Sequence, residues 1–230
     1  MGIVKGLTAI NKQVENQNQN STDETEKGTW LKINDGQSVK IRFLQEIDPN
    51  SENYNDKAGS AFIAVEHSNP AAGMYKRKGL CTIEDQGSCF GCEMHRRDPK
   101  AKWHGKKRFY ANVLVEDGDK EPYVAILSQG LGSKAITEAV IAWALETGSI
   151  TNVVWKVKRT GSGATDTSYS AIPLPAKNLE DIDFNKYKLF DLEKTAVRDI
   201  PYAEQEAFYL GQHDEASSEK ESSTSSTINW

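Results

Sequence analysis

Between residues 29 and 172 the chain runs in short stretches of alternating apolar and polar positions. "TWLKI" (29–33) and "SVKIRFL" (38–44) alternate on either side of "NDG", where Asp35 and Gly36 suit the bend of a hairpin. The period of two returns in "AFIAVEH" (61–67), "RFYANVLVED" (108–117), "PYVAILS" (122–128), "NVVWKVKRT" (152–160) and "SYSAI" (168–172), each read as a strand. Helical spacing is strong in one place. From an N-cap at Ser133, Ile136, Val140 and Trp143 recur at i, i+4 and i+7, and Gly148 stands where the helix ends. A weaker helical stretch runs from Ala203 to Leu210.

Many short strands without a βαβ rhythm predict an antiparallel sheet closed into a small barrel. The expected fold class is mainly β, an OB-fold-like barrel with one or two helices. An SH3-like barrel and a split sandwich share the same pattern.

The two ends read differently. Residues 11–28 are polar and nearly free of large apolar groups, too poor in buried surface to offset the entropy of ordering, so residues 1–28 form a flexible arm. Residues 203–230 form an acidic, Ser-rich tail with an apolar tip at Trp230. Residues 29–202 are the core. At 230 residues one main domain is expected. No stretch approaches the ~20 apolar residues of a membrane span, and the start lacks the marks of a signal peptide. A soluble, intracellular protein without a membrane partner follows.

Net charge is −5, and the tail carries all of it, with six acids and one base between residues 203 and 230. The body is neutral yet uneven: Met74 to Tyr110 holds ten bases against four acids. An overall acidic protein thus contains a basic patch.

That patch surrounds all three cysteines, in "CTIEDQGSCFGC" (81–92). A reducing compartment disfavours disulfides and an odd count cannot pair completely, so a metal is the better reading. Cys89 and Cys92 form a C-x2-C turn in which Gly91 relieves crowding, and Cys81 folds back across a loop containing Gly87. A tetrahedral zinc needs a fourth ligand. His67 and His95 are equally placed for it, His104 less so. A catalytic zinc keeps an open position beside a carboxylate such as Glu84 or Glu93, whereas a full Cys-rich set is the structural pattern and contributes folding energy. Structural zinc and no enzymatic activity are therefore expected.

Beside the cysteines, "KWHGKKRFYANVLVED" interleaves Lys102, Lys106, Lys107 and Arg108 with Trp103, Phe109 and Tyr110. Cations contact phosphates and ring faces accept bases, at ~1–3 kcal/mol per stacked base whatever the sequence. The association recurs at Tyr75, Lys76, Arg77 and Lys78, at Lys40, Arg42 and Phe43, and at Trp155, Lys156, Lys158 and Arg159. On alternating strands Lys40 and Arg42 share a face, as do Lys156 and Lys158.

The ordered series "GTWLKINDGQSVKIRFL", "FIAVEH", Cys81 with Cys89-x2-Cys92, "RFYANVLVED", "WKVKRTGSG" and "SAIP", over roughly Thr29 to Pro173, resembles the helix-destabilising single-stranded DNA-binding proteins of T-even phages, the gene 32 type. The resemblance implies an OB-fold core whose basic, aromatic-lined cleft holds single-stranded DNA in replication, recombination and repair, inside an infected host cell. It implies a small zinc subdomain, here about residues 67–104, and makes His67 the fourth ligand with Cys81, Cys89 and Cys92. By position it assigns Arg42, Lys107, Arg108, Tyr110, Lys156 and Tyr169 to the cleft. Two features depart from the family. The arm lacks its basic cluster, and the tail ending in Trp230 resembles instead the tails by which other phage and bacterial single-strand binders recruit replication proteins and compete with DNA.

Overall fold

A computed structural model describes residues 28–71, 73–74, 77–118, 120–163, 165–174 and 186–211. The arm before Gly28, Tyr75, Lys76 and the tail from residue 212 with Trp230 lie outside the described residues.

Seven strands form one antiparallel sheet: β1 (Ser38–Phe43), β2 (Phe62–Ser68), β3 (Lys78–Leu80), β4 (Lys106–Glu116), β5 (Tyr123–Gly130), β6 (Val154–Thr160) and β7 (Ser168–Leu174). The order is β3-β2-β4-β1-β6-β7, with β5 on the other edge of β4. The long strand β4 organises the rest. Along one edge its first half pairs with β2 and its second half with β1, while β5 takes the opposite edge. The fold is thus mainly β, with few helices. No ladder joins β5 to β7 among the described residues, so the sheet is not closed; a hydrogen bond from Tyr169 N–H to Lys134 O, 2.8 Å, links β7 to the chain just past β5.

The alternation read from sequence decides which face is inside. Ile41 and Phe43 of β1, Phe109, Ala111, Val113 and Val115 of β4, Leu127 of β5, and Trp155 and Val157 of β6 form the main core. The α-helix Thr137–Thr147 closes one end of it through Ile136 and Val140. It begins three residues later than the Ser133 cap predicts. It stops at Gly148, which adopts φ 74°, a left-handed conformation that any Cβ would strain.

The predicted hairpin does not form. Both edges of β1 are already taken by β4 and β6, so "TWLKI" has no edge of β1 to join. Residues 29–31 cross instead to β5, where Leu31 N–H donates to Ile126 O and Ile126 N–H to Thr29 O. The "NDG" turn is real, but it leads from β5's flank into β1.

The outer face of β4 and β5 is covered by a strap. Phe190, Leu192, Ala196 and Val197 pack on Tyr110, Ile126 and Ala64, and Asn112, fully buried, exchanges two hydrogen bonds with the backbone of Phe190. The strap includes the short helix Leu192–Thr195 and ends in the helix Tyr202–Leu210. Two further short helices, Ile83–Gln86 and Phe90–Arg97, follow β3. In chain order the helices are α1 (Ile83–Gln86), α2 (Phe90–Arg97), α3 (Thr137–Thr147), α4 (Leu192–Thr195) and α5 (Tyr202–Leu210).

Helix α5 corrects the domain boundary. Residues 203–211, assigned to the acidic tail from their charge, belong to the folded body: Tyr209 stacks against Phe90 and meets Trp103 edge-on, and buried Gln205 accepts from Phe90 N–H and donates to Thr82 Oγ1 and Ile200 O. The acids Glu204 and Glu206 ride the exposed and half-exposed side of this helix, which is why charge alone mistook it for tail.

Candidate metal centre and basic face

Four side chains converge at the junction of β2, β3 and α2. His67 lies near the end of β2, Cys81 follows β3, and Cys89 and Cys92 bracket the start of α2, with Cys89 in extended conformation as its N-cap. Their ligand atoms all lie within 4.8 Å of one another. Cys81 Sγ is 3.5 Å from Cys92 Sγ, and Cys92 Sγ is 3.3 Å from His67 Nε2. With Zn–S bonds of about 2.3 Å, a tetrahedron sets neighbouring sulfurs about 3.8 Å apart, so the spacing suits zinc.

The surroundings orient these donors. His67 Nδ1 is 2.7 Å from Trp103 O; donation to that carbonyl fixes the tautomer that leaves Nε2 free as a ligand. The ring lies against Gly91, where a Cβ would come within 2.3 Å of His67 Cγ, and it neighbours Gly105. Gly91 is therefore required for the histidine, and the thiol crowding inferred from sequence is not its reason.

The electrostatics of the cluster suit a divalent cation. Burial pushes the Cys89 thiol up, but the adjacent His67 and the backbone N–H groups of Cys92 and Thr82 bring it down to about 6. Burial, then the Cys81 hydrogen bond and the Cys89 charge, push Cys92 up to about 12, and burial also raises Cys81. For His67 burial works against the imidazolium, yet Cys89 and the Trp103 carbonyl outweigh it and raise the pKa. One negative charge is tolerated here and three are not, unless a divalent ion neutralises them. His95 stays outside the cluster.

The predicted nucleic-acid residues separate into three groups. Lys40, Arg42, Lys156 and Lys158 lie together on the outer face of β1 and β6, where Lys40 and Lys156 are directly paired across the two strands. The three lysines are exposed; Arg42 is half-buried and donates through Nε to Thr151 O. Glu116 of β4 pairs with Lys40 on the other side. Lys106 and Arg108 project from the same face of β4, nearer its start, and Arg108 donates to Ser128 Oγ, whereas Lys107 is exposed on the opposite face.

The remaining ones are not where stacking needs them. Trp103 is 5% exposed, in a small core with Phe90 and Tyr209. Tyr110 is wholly buried beneath the strap, its hydroxyl donating 2.7 Å to Glu66. Tyr169 pairs with Arg159 and packs toward the main core, on the face opposite Lys156. Arg77 donates to Phe208 O and so caps the C-terminus of α5. These four serve the fold. Sequence reading failed on the rings because a strand whose two faces are both covered still shows aromatics beside cations.

Two half-exposed rings were passed over, Trp30 and Tyr123, along with Ile172, 59% exposed beside Lys156. Trp30 was legible only as a strand residue because its exposure depends on the crossing to β5.

A groove of about 920 Å³ runs between the outer edge of β2, α1 and the strap. Ile63, Val65 and Ile83 line it, but so do Glu84, Asp85, Glu193 and Asp199, which set it apart from the basic face.

No family model, curated protein or solved structure matches this chain. Among the described residues no helix is long and apolar enough to cross a membrane.

Proposed function

We propose that this chain is a zinc-containing, non-enzymatic protein that binds single-stranded DNA without regard to sequence, in replication, recombination and repair. The observation that carries the reading is the lysine pairing on β1 and β6. Like charges set directly opposite on a sheet are destabilising, and here Lys40 and Lys156 face each other with Lys158 and Arg42 beside them. Such a stripe is favourable when a polyanion lies along it, because each neutralised phosphate releases a counterion.

The topology supports an OB-like barrel. β1 pairs with β4, β4 with β5, β1 with β6 and β6 with β7, with α3 between β5 and β6; this is the five-strand connectivity of that fold, and Tyr169 N–H to Lys134 O marks where it would close. Zinc would be held by His67, Cys81, Cys89 and Cys92. Four protein donors leave no open position for a substrate, so the metal supplies folding energy and joins β2, β3 and α2.

Capture of exposed strands shifts duplex melting toward single strands. Trp30 is the ring offered to bases in place of Trp103 and Tyr110. The acidic tail with Trp230 would recruit replication proteins and compete with DNA for the lysines.

The burial of the predicted rings favours a second reading, a zinc-bearing interaction module whose lysine stripe docks an acidic protein. Filter binding of labelled oligo(dT) and of duplex of equal length decides between them. Retention of oligo(dT) well above duplex, lost in a Lys40→Glu/Lys156→Glu variant, is expected; equal weak retention of both would reject DNA binding in favour of the module.

A further inference from the structure

Strand β2 has one edge that is only partly paired. β4 pairs with Phe62–Glu66 on the other edge, but β3 reaches only Glu66–Ser68, after which Cys81 N–H donates 2.8 Å to Val65 O. Strand alternation turns Ile63 N–H and C=O to the same edge as Val65 O, and no strand meets them there among the described residues. An open edge is a template for pairing with another stretch of chain, and proteins usually cover it or charge it. This one carries instead Ile63, 48% exposed, and Val65, 37% exposed.

The groove of about 920 Å³ follows this edge, and its lining says what fits. Ile63, Val65 and Ile83 offer apolar surface. Glu84, Asp85, Glu193 and Asp199 stand exposed around them, against one lysine, Lys194, which lies 2.8 Å from Asp191. Such a groove suits an extended segment that is both apolar and cationic, and it repels anions. Of the longer stretches beyond the described residues, 175–185 and 212–230 are acidic. Residues 1–12 are the opposite: Ile3, Val4, Leu7 and Ile10 accompany Lys5 and Lys12, and the first acid is Glu15. The described chain also starts beside the groove. A Cβ on Gly28 would come within 2.7 Å of Thr195 Cγ2 in α4, and Glu193 and Lys194 of that same helix border the groove. Residues 13–27 as a coil span roughly 20 Å, more than the ~10 Å width of a helix.

We propose that residues 3–10 dock on their own chain, as a strand added to the open edge of β2. Main-chain hydrogen bonds to Ile63 supply the pairing, the apolar side chains cover Ile63 and Val65, and Lys5 and Lys12 meet the acids of α1 and the strap. The tether holds the segment at ~mM effective concentration, so a chain's own copy outcompetes that of a second molecule at micromolar protein. None of the residues invoked is a zinc donor or part of the lysine stripe, so the inference stands apart from both readings.

Carbodiimide cross-linking of an equal mixture of unlabelled and 15N-labelled full-length protein tests it, because the reagent joins lysine amines only to carboxylates in contact. Mass spectrometry should find Lys5 or Lys12 linked to Glu84, Asp85, Glu193 or Asp199, with both halves of each link carrying the same isotope. Absence of these links would overturn the docking. Links of mixed isotope at a statistical share would give the groove to a second copy and overturn docking within the chain. Hydrogen exchange reads the same contact without lysine chemistry. The Ile63 amide should exchange at least about tenfold faster when residues 1–12 are deleted, and also in a Glu84→Lys/Glu193→Lys variant, whose two sites are exposed. A synthetic peptide of residues 1–12 added to the deleted chain should restore protection, and a scrambled peptide of the same composition should not. Exchange at Ile63 unchanged within twofold by the deletion, or equal protection by the scrambled peptide, would overturn the proposal.

Discussion

The His67 ring is placed by atoms that are absent as much as by those present. Gly91 has an ordinary backbone conformation, and its lack of a Cβ matters because the imidazole occupies the space 2.3 Å away. We expect Gly91→Ala to push His67 out of the cage and weaken zinc about 10- to 100-fold by chelator competition, with circular dichroism of the sheet unchanged. Wild-type affinity in that variant would show that another residue is the fourth ligand. The C-x2-C spacing made the two thiols of α2 legible from sequence; the choice of His67 over His95 was not, since it depends on the Trp103 carbonyl, 36 residues away.

Proton linkage follows from the same residues. Near neutral pH Cys81 and Cys92, both raised, carry protons that zinc must displace, whereas Cys89, lowered to about 6, has largely lost its own. Binding therefore releases at least two protons at pH 7, with a further contribution from His67, which is raised, and affinity rises with pH. His67, raised above its ordinary value, protonates first as pH falls through the neutral range and Cys89 follows near 6, so the dependence steepens as pH falls. Competition titrations from pH 5.5 to 8 check the sign; affinity that is flat with pH would mean that the thiols are not the donors.

At the scale of elements, β1 and β6 carry the conflict that the proposed DNA binding would relieve. Lys156 opposes Lys40, and no acid stands on its other neighbour, where Ile172 of β7 is paired with it. Lys156→Glu replaces a like-charge pair with an attractive one, and we expect it to stabilise the fold by about 0.2–1 kcal/mol in urea unfolding. The same substitution should weaken oligo(dT) binding. The wild-type log–log salt slope, expected at about −2 to −3 from three or four phosphates, should move toward zero by more than one contact's worth. Gains in stability and affinity together would remove the stripe from the interface. Alternation made this stripe readable, because β1 and β6 each have one covered face. It failed on β4, whose residues from Phe109 to Val115 are buried on both faces, so period two there says nothing about exposure.

At the scale of the molecule, two apolar clusters share the strap, and a third is separate from it. The main core takes residues from β1, β4, β5, β6 and α3; the cluster of Phe90, Trp103 and Tyr209 belongs to the end that carries the Cys/His cluster and is closed by α5. Strand spacing revealed the first, but not the second: α5 returns from over 100 residues away, and only burial of Gln205 and Tyr209 shows that it belongs there. The zinc ligands, β3, α2 and α5 should therefore loosen as a unit when metal is removed, while β1 and β6 keep their own core. Hydrogen exchange on chelator-treated protein should show lost protection over residues 78–97 and 202–210, with the amides of residues 38–43 and 154–160 still protected. Because the lysine stripe lies on those protected strands, oligo(dT) affinity should fall by less than tenfold, about 1.4 kcal/mol, on chelation. Loss of protection in β1 and β6 along with α2 would instead make the metal a support for the whole sheet, and the stripe would then lose its DNA affinity with the zinc.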